Sequence, residues 1–253
     1  MLIETLTIGP LQWLVAALGA LMVGISKTAI TGLSVLFVAL FAVVFPSTKQ
    51  ATGIVLPLLL FGDFVAVYAY RRHMQWRYLG KLFPWTAGGV VIGYFTLRVI
   101  SDHGARLMIG VIILGLTSLS YWFRWRKSSA SDNTALMHWG VAAFIGVLAG
   151  FTTLVANAGG PLMAIYFIAM RLPKMEFVGT AAVFFCLLNL FKMPFMVNLG
   201  LVTTASFSFN LMLAPLVFAG ALFGRWLLPR INQRLFEEIV LALSAGAGIL
   251  LLV

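Results

Sequence analysis

The chain has 253 residues, 62% of them hydrophobic and only 9% charged, with a mean hydropathy of +1.04. Soluble domains run at roughly 45–50% apolar and roughly 25% charged residues, so a soluble core is excluded and any chemistry belongs inside a bilayer. The formal net charge of +10 sits mostly in short loops between apolar runs, which makes it a topology signal beside anionic lipid rather than a nucleic-acid surface.

The first residues, MLIETLTIGP, carry an acid and no basic segment, so they do not read as a cleavable signal peptide. Apolar runs then fall at about 10–24, 32–45, 51–70, 82–100, 107–123, 138–149, 160–170, 177–197, 205–224 and 235–253. A helical span needs roughly 20 residues. The third, fourth, fifth and last three runs meet that need; the first, second, sixth and seventh are expected to fall short of it. The short runs come in pairs, each joined by small and polar residues: 24–32 in one case and 150–160 in the other. This is the pattern of half-helix hairpins.

The two hairpins expose a repeat at a constant offset. Val15-Ala16-Ala17 matches Val141-Ala142-Ala143, Gly24 matches Gly150, Leu36 matches Leu162, Gly53 matches Gly179, and the same register pairs Asp63 with Asn189. The long polar stretch at 125–137 falls where two halves should join and reads as a linker. The expected organisation is therefore a first membrane repeat at 1–124, a cytoplasmic linker at 125–137 and a second repeat at 138–253. Each half holds five segments, a short half-helix hairpin plus three long transmembrane helices.

Lys and Arg accumulate in short cytoplasmic loops. Placing the loop from Arg71 to Lys81 inside also puts Arg124, Arg126, Lys127, Arg171, Lys174, Arg225, Arg230 and Arg234 inside, and leaves Lys49, Arg98 and Arg106 outside. An odd number of crossings per half makes the halves antiparallel, the inverted-repeat plan of many secondary transporters. Both termini are then expected outside. The fold class is an all-α polytopic membrane protein.

Inverted halves bring the hairpin tips together near the midplane. Ser26, Thr28, Thr31, Thr152, Thr153 and Asn157 can donate hydrogen bonds to oxyanion oxygens there, and Lys27 adds a full positive charge. The second arm of each hairpin begins as a helix whose first N–H groups favour an anion, with Gly159-Gly160-Pro161 as one such start. These residues are the candidate substrate site. The alternative for each hydroxyl is a bond to a backbone carbonyl within its own helix.

A charged side chain at a helix centre costs roughly 2.5–3.5 kcal/mol, so Lys27 and Asp63 each need a partner or a task. Two readings stand: they pair and neutralise each other, or Lys27 meets the anion while Asp63 carries a coupling proton, with the uncharged Asn189 as its counterpart. Lys192 is expected to snorkel to the interface from the end of its helix. Gly88, Gly89 and Gly93, and Gly220 with Gly224, have the spacing of close helix packing. The single cysteine, Cys186, has no partner for a disulfide and no ligand cluster beside it, so neither metal nor cofactor is expected. No nucleophile with a base and no paired carboxylates are visible, which argues against an enzyme.

Taken together, the glycine-bearing break from Gly24 to Gly32, Ala51-Thr52-Gly53 opening the next span, the basic loop with Trp76-Arg77 before a helix containing Gly88-Gly89 and Gly93, and the return of this scheme after the linker give the chain its likeness. Over nearly its whole length it resembles the sulfite exporter TauE/SafE family of membrane transporters. The resemblance implies transport of a sulfur oxyanion or organosulfonate, of the sulfite, thiosulfate or sulfoacetate type, across the bacterial inner membrane. Protons are the candidate coupling ion. The alternative is a passive anion channel or a membrane-anchoring subunit of a redox system.

Overall fold

The computed structural model describes residues 9–30, 33–45, 48–99 and 139–250, with isolated positions between 101 and 118. Most of the fifth apolar run, the linker at 125–137 and Thr31 lie outside the described residues. The described part is helical throughout, with helices α1 (Pro10–Thr28), α2 (Ser34–Val44), α3 (Thr48–Tyr70), α4 (Trp76–Val99), α5 (Trp139–Ala156), α6 (Gly159–Ala169), α7 (Lys174–Asn198), α8 (Thr204–Leu227) and α9 (Gln233–Leu250). Among the described residues, four stretches are long and apolar enough to cross a membrane: Pro10–Thr28, Gln50–His73, Lys174–Asn198 and Thr204–Arg230. Large apolar side chains such as Leu11, Phe95, Leu211 and Leu222 stay exposed on the outer surface, where acyl chains rather than water would cover them.

The hairpins differ from expectation in their first arms. α1 has 19 residues and α5 has 18, whereas the second arms α2 and α6 have 11 each. The reason lies in the small polar residues read as breaks. Thr28 Oγ1 donates to the Gly24 carbonyl at 3.1 Å and Thr152 Oγ1 to the Leu148 carbonyl at 2.8 Å, both one turn back. In apolar surroundings a hydroxyl that bonds back to its own helix is satisfied without a break in that helix. The chain therefore breaks only after Thr28 and after Ala156.

Glycines set how closely the helices approach. α1 runs parallel to α8, from the Trp13–Phe209 ring contact at one end to Thr28 Oγ1 donating to the Ala221 carbonyl at 2.8 Å at the other. A methyl group on Gly24 would overlap the Val217 carbonyl, and one on Gly220 would overlap the Leu21 carbonyl. α4 and α5 make the matching pair: Gly150 sits against the Thr86 carbonyl and Gly89 against the Val147 carbonyl. Leu21 and Val147, like Gly24 and Gly150, keep the register of the repeat. Gly88 faces open space and takes no part.

α3 and α7 cross antiparallel. Gly53 at the start of α3 lies against Leu201 just past α7, while Gly179 near the start of α7 lies against Tyr70 and His73 at the end of α3. Pro57 removes one donor from α3. The carbonyls on either side of Gly53, the one left without that donor, accept from side chains: Thr52 O from Asn157 Nδ2 at 2.9 Å and Ile54 O from Asn210 Nδ2 at 2.8 Å. At the far end of this pair, Gln75 N donates to Thr180 Oγ1, Lys174 N to Gln233 Oε1, and Lys174 Nζ to the carbonyls of Leu228, Pro229 and Ile231. The ends of α3 and α8 and the starts of α7 and α9 thus share one pole of the molecule.

Candidate functional site

The two hairpin tips meet at one cavity beside the α3–α7 crossing. Ser26, Lys27, Phe37 and Leu59 come from the first half, and Thr153, Asn157, Gly160, Phe185 and Asn189 from the second; together they line a space of about 20 Å³, room for a water molecule in this state.

Each tip is positioned by a local device. At the first, Lys27 lies in the last turn of α1, where the helix dipole favours a cation. Its ammonium stands 2.7 Å from Asp63 Oδ1 and 5.2 Å from the centre of the Phe185 ring. At the second, Asn157 takes φ = 51°, a left-handed conformation that asparagine tolerates. Asn157 N donates to Thr153 O at 3.0 Å and Ala158 N to Thr152 O at 3.2 Å. α6 then starts at Gly159 with Pro161 in its first turn, where no N–H is needed. Gly160 places the N-terminus of α6 at the cavity wall.

Behind the wall runs a chain of buried polar groups. Asn189 Nδ2 donates to Asp63 Oδ2 at 2.6 Å. Lys192 Nζ donates to Asn189 Oδ1 at 3.2 Å, Asn157 Oδ1 at 2.7 Å, Thr153 O at 2.9 Å and Thr153 Oγ1 at 3.3 Å. Lys192 and Asp63 are both 0% exposed, so each depends on these partners for the contacts that water would otherwise supply. The Lys27–Asp63 pair, one of the two readings of those residues, is formed in this state, and its lysine also lines the cavity.

Of the candidate residues, Ser26, Lys27, Thr153, Asn157 and Asn189 line the cavity. Asp63 is one contact behind it. Thr28 and Thr152 turn their hydroxyls to backbone carbonyls of Gly24, Ala221, Leu148 and Ala149. Lys192 corrects the expectation of snorkelling: it points inward and ties α7 to the second tip. A signal was present, because Asn189 and Lys192 stand one turn apart in an apolar segment and so share a face of α7. Among the described residues no three His, Cys, Asp or Glu side chains gather into a metal-binding group.

The model of the sulfite exporter TauE/SafE family matches residues 16–251, and the chain belongs to that family of membrane transporters. No curated protein and no solved structure matches it.

Proposed function

We propose that this TauE/SafE family member is a secondary transporter that moves a small sulfur-containing oxyanion or organosulfonate, of the sulfite, thiosulfate or sulfoacetate type, across the bacterial inner membrane. The observation that carries this reading is the cavity lined from both tips, in which a lysine, two hydroxyls, two asparagines and a helix N-terminus converge. Each of these groups favours negative charge or donates to oxygen. The anion takes Ser26, Lys27, Thr153 and Asn157 as its contacts, with Thr28 and Thr152 shaping the tips and Asp63 and Asn189 supporting the site.

Antiparallel halves at 1–124 and 138–253, joined by a cytoplasmic linker at 125–137, would rock around this site, with both termini outside. The matched glycine contacts of α1 with α8 and of α5 with α4, and the contact between Asp63 and its counterpart Asn189, support that arrangement. Asp63 is the one carboxylate at this depth among the described residues. A coupling proton would be exchanged there when Lys27 swings from Asp63 to the anion.

The test is flux of sulfite into liposomes holding the purified protein. Saturable uptake, driven faster by an imposed proton gradient and crippled by Lys27→Met, is the expected result. Uptake that rises without saturation would instead describe a passive channel, and a Lys27→Met variant as fast as the parent would remove Lys27 from the mechanism.

A further inference from the structure

The hydrogen bonds around Lys192 fix its charge. Asn157 directs its amide NH₂ to the Thr52 carbonyl, and Asn189 directs its own to the Asp63 carboxylate. The Thr52 carbonyl only accepts, and so does Asp63 while it is ionised beside Lys27, so in that state the carbonyl oxygen of each asparagine faces Lys192. Thr153 O is a third obligate acceptor on the same nitrogen. A neutral amine has two N–H groups and cannot serve three such acceptors; an ammonium has three. Lys192 is therefore held as a cation directly behind Thr153, Asn157 and Asn189.

Lys27 is a second cation at the same cavity, and Asp63 is the one carboxylate that meets either of them. The residues lining the cavity, and the side chains bonded to them, bring no further charge among the described residues. Two lysines against one aspartate leave a single unbalanced positive charge. Two unit charges interact several-fold more strongly at the effective dielectric of a protein than in water, so while Asp63 is ionised the occupant that restores neutrality is singly charged.

We infer that the site selects monovalent oxyanions, such as hydrogensulfite or a simple sulfonate, over divalent ones such as sulfate or thiosulfate, and that Lys192 supplies the deciding charge. This rests on the anion-transport reading above and narrows it.

Methanesulfonate and sulfate are the probes, used as competitors of sulfite uptake in liposomes and as ligands in a thermal-shift titration. The wild-type protein should prefer methanesulfonate by about tenfold or more. Asn189→Asp adds a second carboxylate at unchanged size and should weaken methanesulfonate by about tenfold, while Asp63→Asn leaves an extra positive charge and should move the preference towards sulfate. Equal competition by the two probes in the wild type would overturn the inference while leaving anion transport standing, as would variants that fold and keep the parental preference. Absence of sulfite uptake together with absence of binding by either probe would overturn both. Should a variant fold poorly, the wild-type ratio decides alone.

Discussion

The side-chain amide of Asn189 lies 2.6 Å from Asp63 Oδ2, joining two positions 126 residues apart that the proposed inverted repeat makes equivalent. Equivalent positions touch only when both flank the axis that relates their halves. Because the first half carries the acid and the second the amide, the contact is a hydrogen bond rather than a repulsion between two carboxylates. The same carboxylate receives Lys27 on its other oxygen, so the pair sits between the two tips electrically as well as in space.

Removing Asp63 should therefore cost more than removing the ion pair. Asp63→Ala leaves Lys27 buried without its counter-charge, and a broken buried pair is worth about 3–5 kcal/mol. The double variant Asp63→Ala with Lys27→Met should recover part of that loss. A double-mutant cycle followed by thermal unfolding in detergent is expected to give a coupling of about 1 kcal/mol or more between contacting residues. A coupling near zero would mean that the two side chains do not pair.

Lys192→Met should loosen the second tip. It strips a donor from the carbonyls of Thr153, Asn157 and Asn189, and each buried acceptor left unsatisfied costs about 1–3 kcal/mol. A lowered melting temperature and a loss of sulfite flux are the expected pair of results. Melting and flux equal to the parent would show that this lysine faces the interface after all.

How legible this was from the chain depends on what kind of signal each part leaves. Membrane residence, the paired hairpins and the candidate tips follow from hydropathy and from polar residues in apolar runs, which are local. The true helix ends were not legible, because Thr28 and Thr152 can either break a helix or bond back into it, and only the packed environment decides. Lys192 escaped for a different reason. In the repeat, Lys27 is matched by Thr153 and Lys192 by Ala66, so comparison of the halves cannot show that each half sends one cation to the cavity, from α1 in the first and from α7 in the second. The glycine spacing in α4 and α8 was readable as packing, although not that Gly88 stands apart from its neighbour.

Gly88 supplies the control for a packing test. Gly24→Ala and Gly150→Ala each place a methyl group onto a backbone carbonyl of the facing helix, which neither helix can yield without separating. Overpacking of this kind costs about 1–3 kcal/mol or more. Gly88→Ala meets open space and should be neutral or gain about 0.5–1 kcal/mol from helix propensity. Melting temperatures of the three variants in one detergent measure the contrast, and equal shifts at all three positions would contradict the close approach of α1 to α8 and of α5 to α4.

The orientation of the bundle can be tested with the native cysteine left in place, since Cys186 is buried. Arg71 and Arg72 after α3, Arg171 before α7 and Lys174 at its start, and Arg230 and Arg234 around the start of α9 belong to one pole, tied together by Lys174 and Gln233. Arg98 lies at the other pole, bonded to Asn198 at the end of α7. Positive charge is retained on the cytoplasmic side, so the Lys174 pole should face the cytoplasm. His73 and Thr204 are exposed at opposite poles. A membrane-impermeant maleimide added to intact spheroplasts should label Thr204→Cys and should reach His73→Cys only after lysis. The reverse pattern would invert the bundle, and labelling of both from one side would contradict the antiparallel crossing of α3 and α7 on which the site depends.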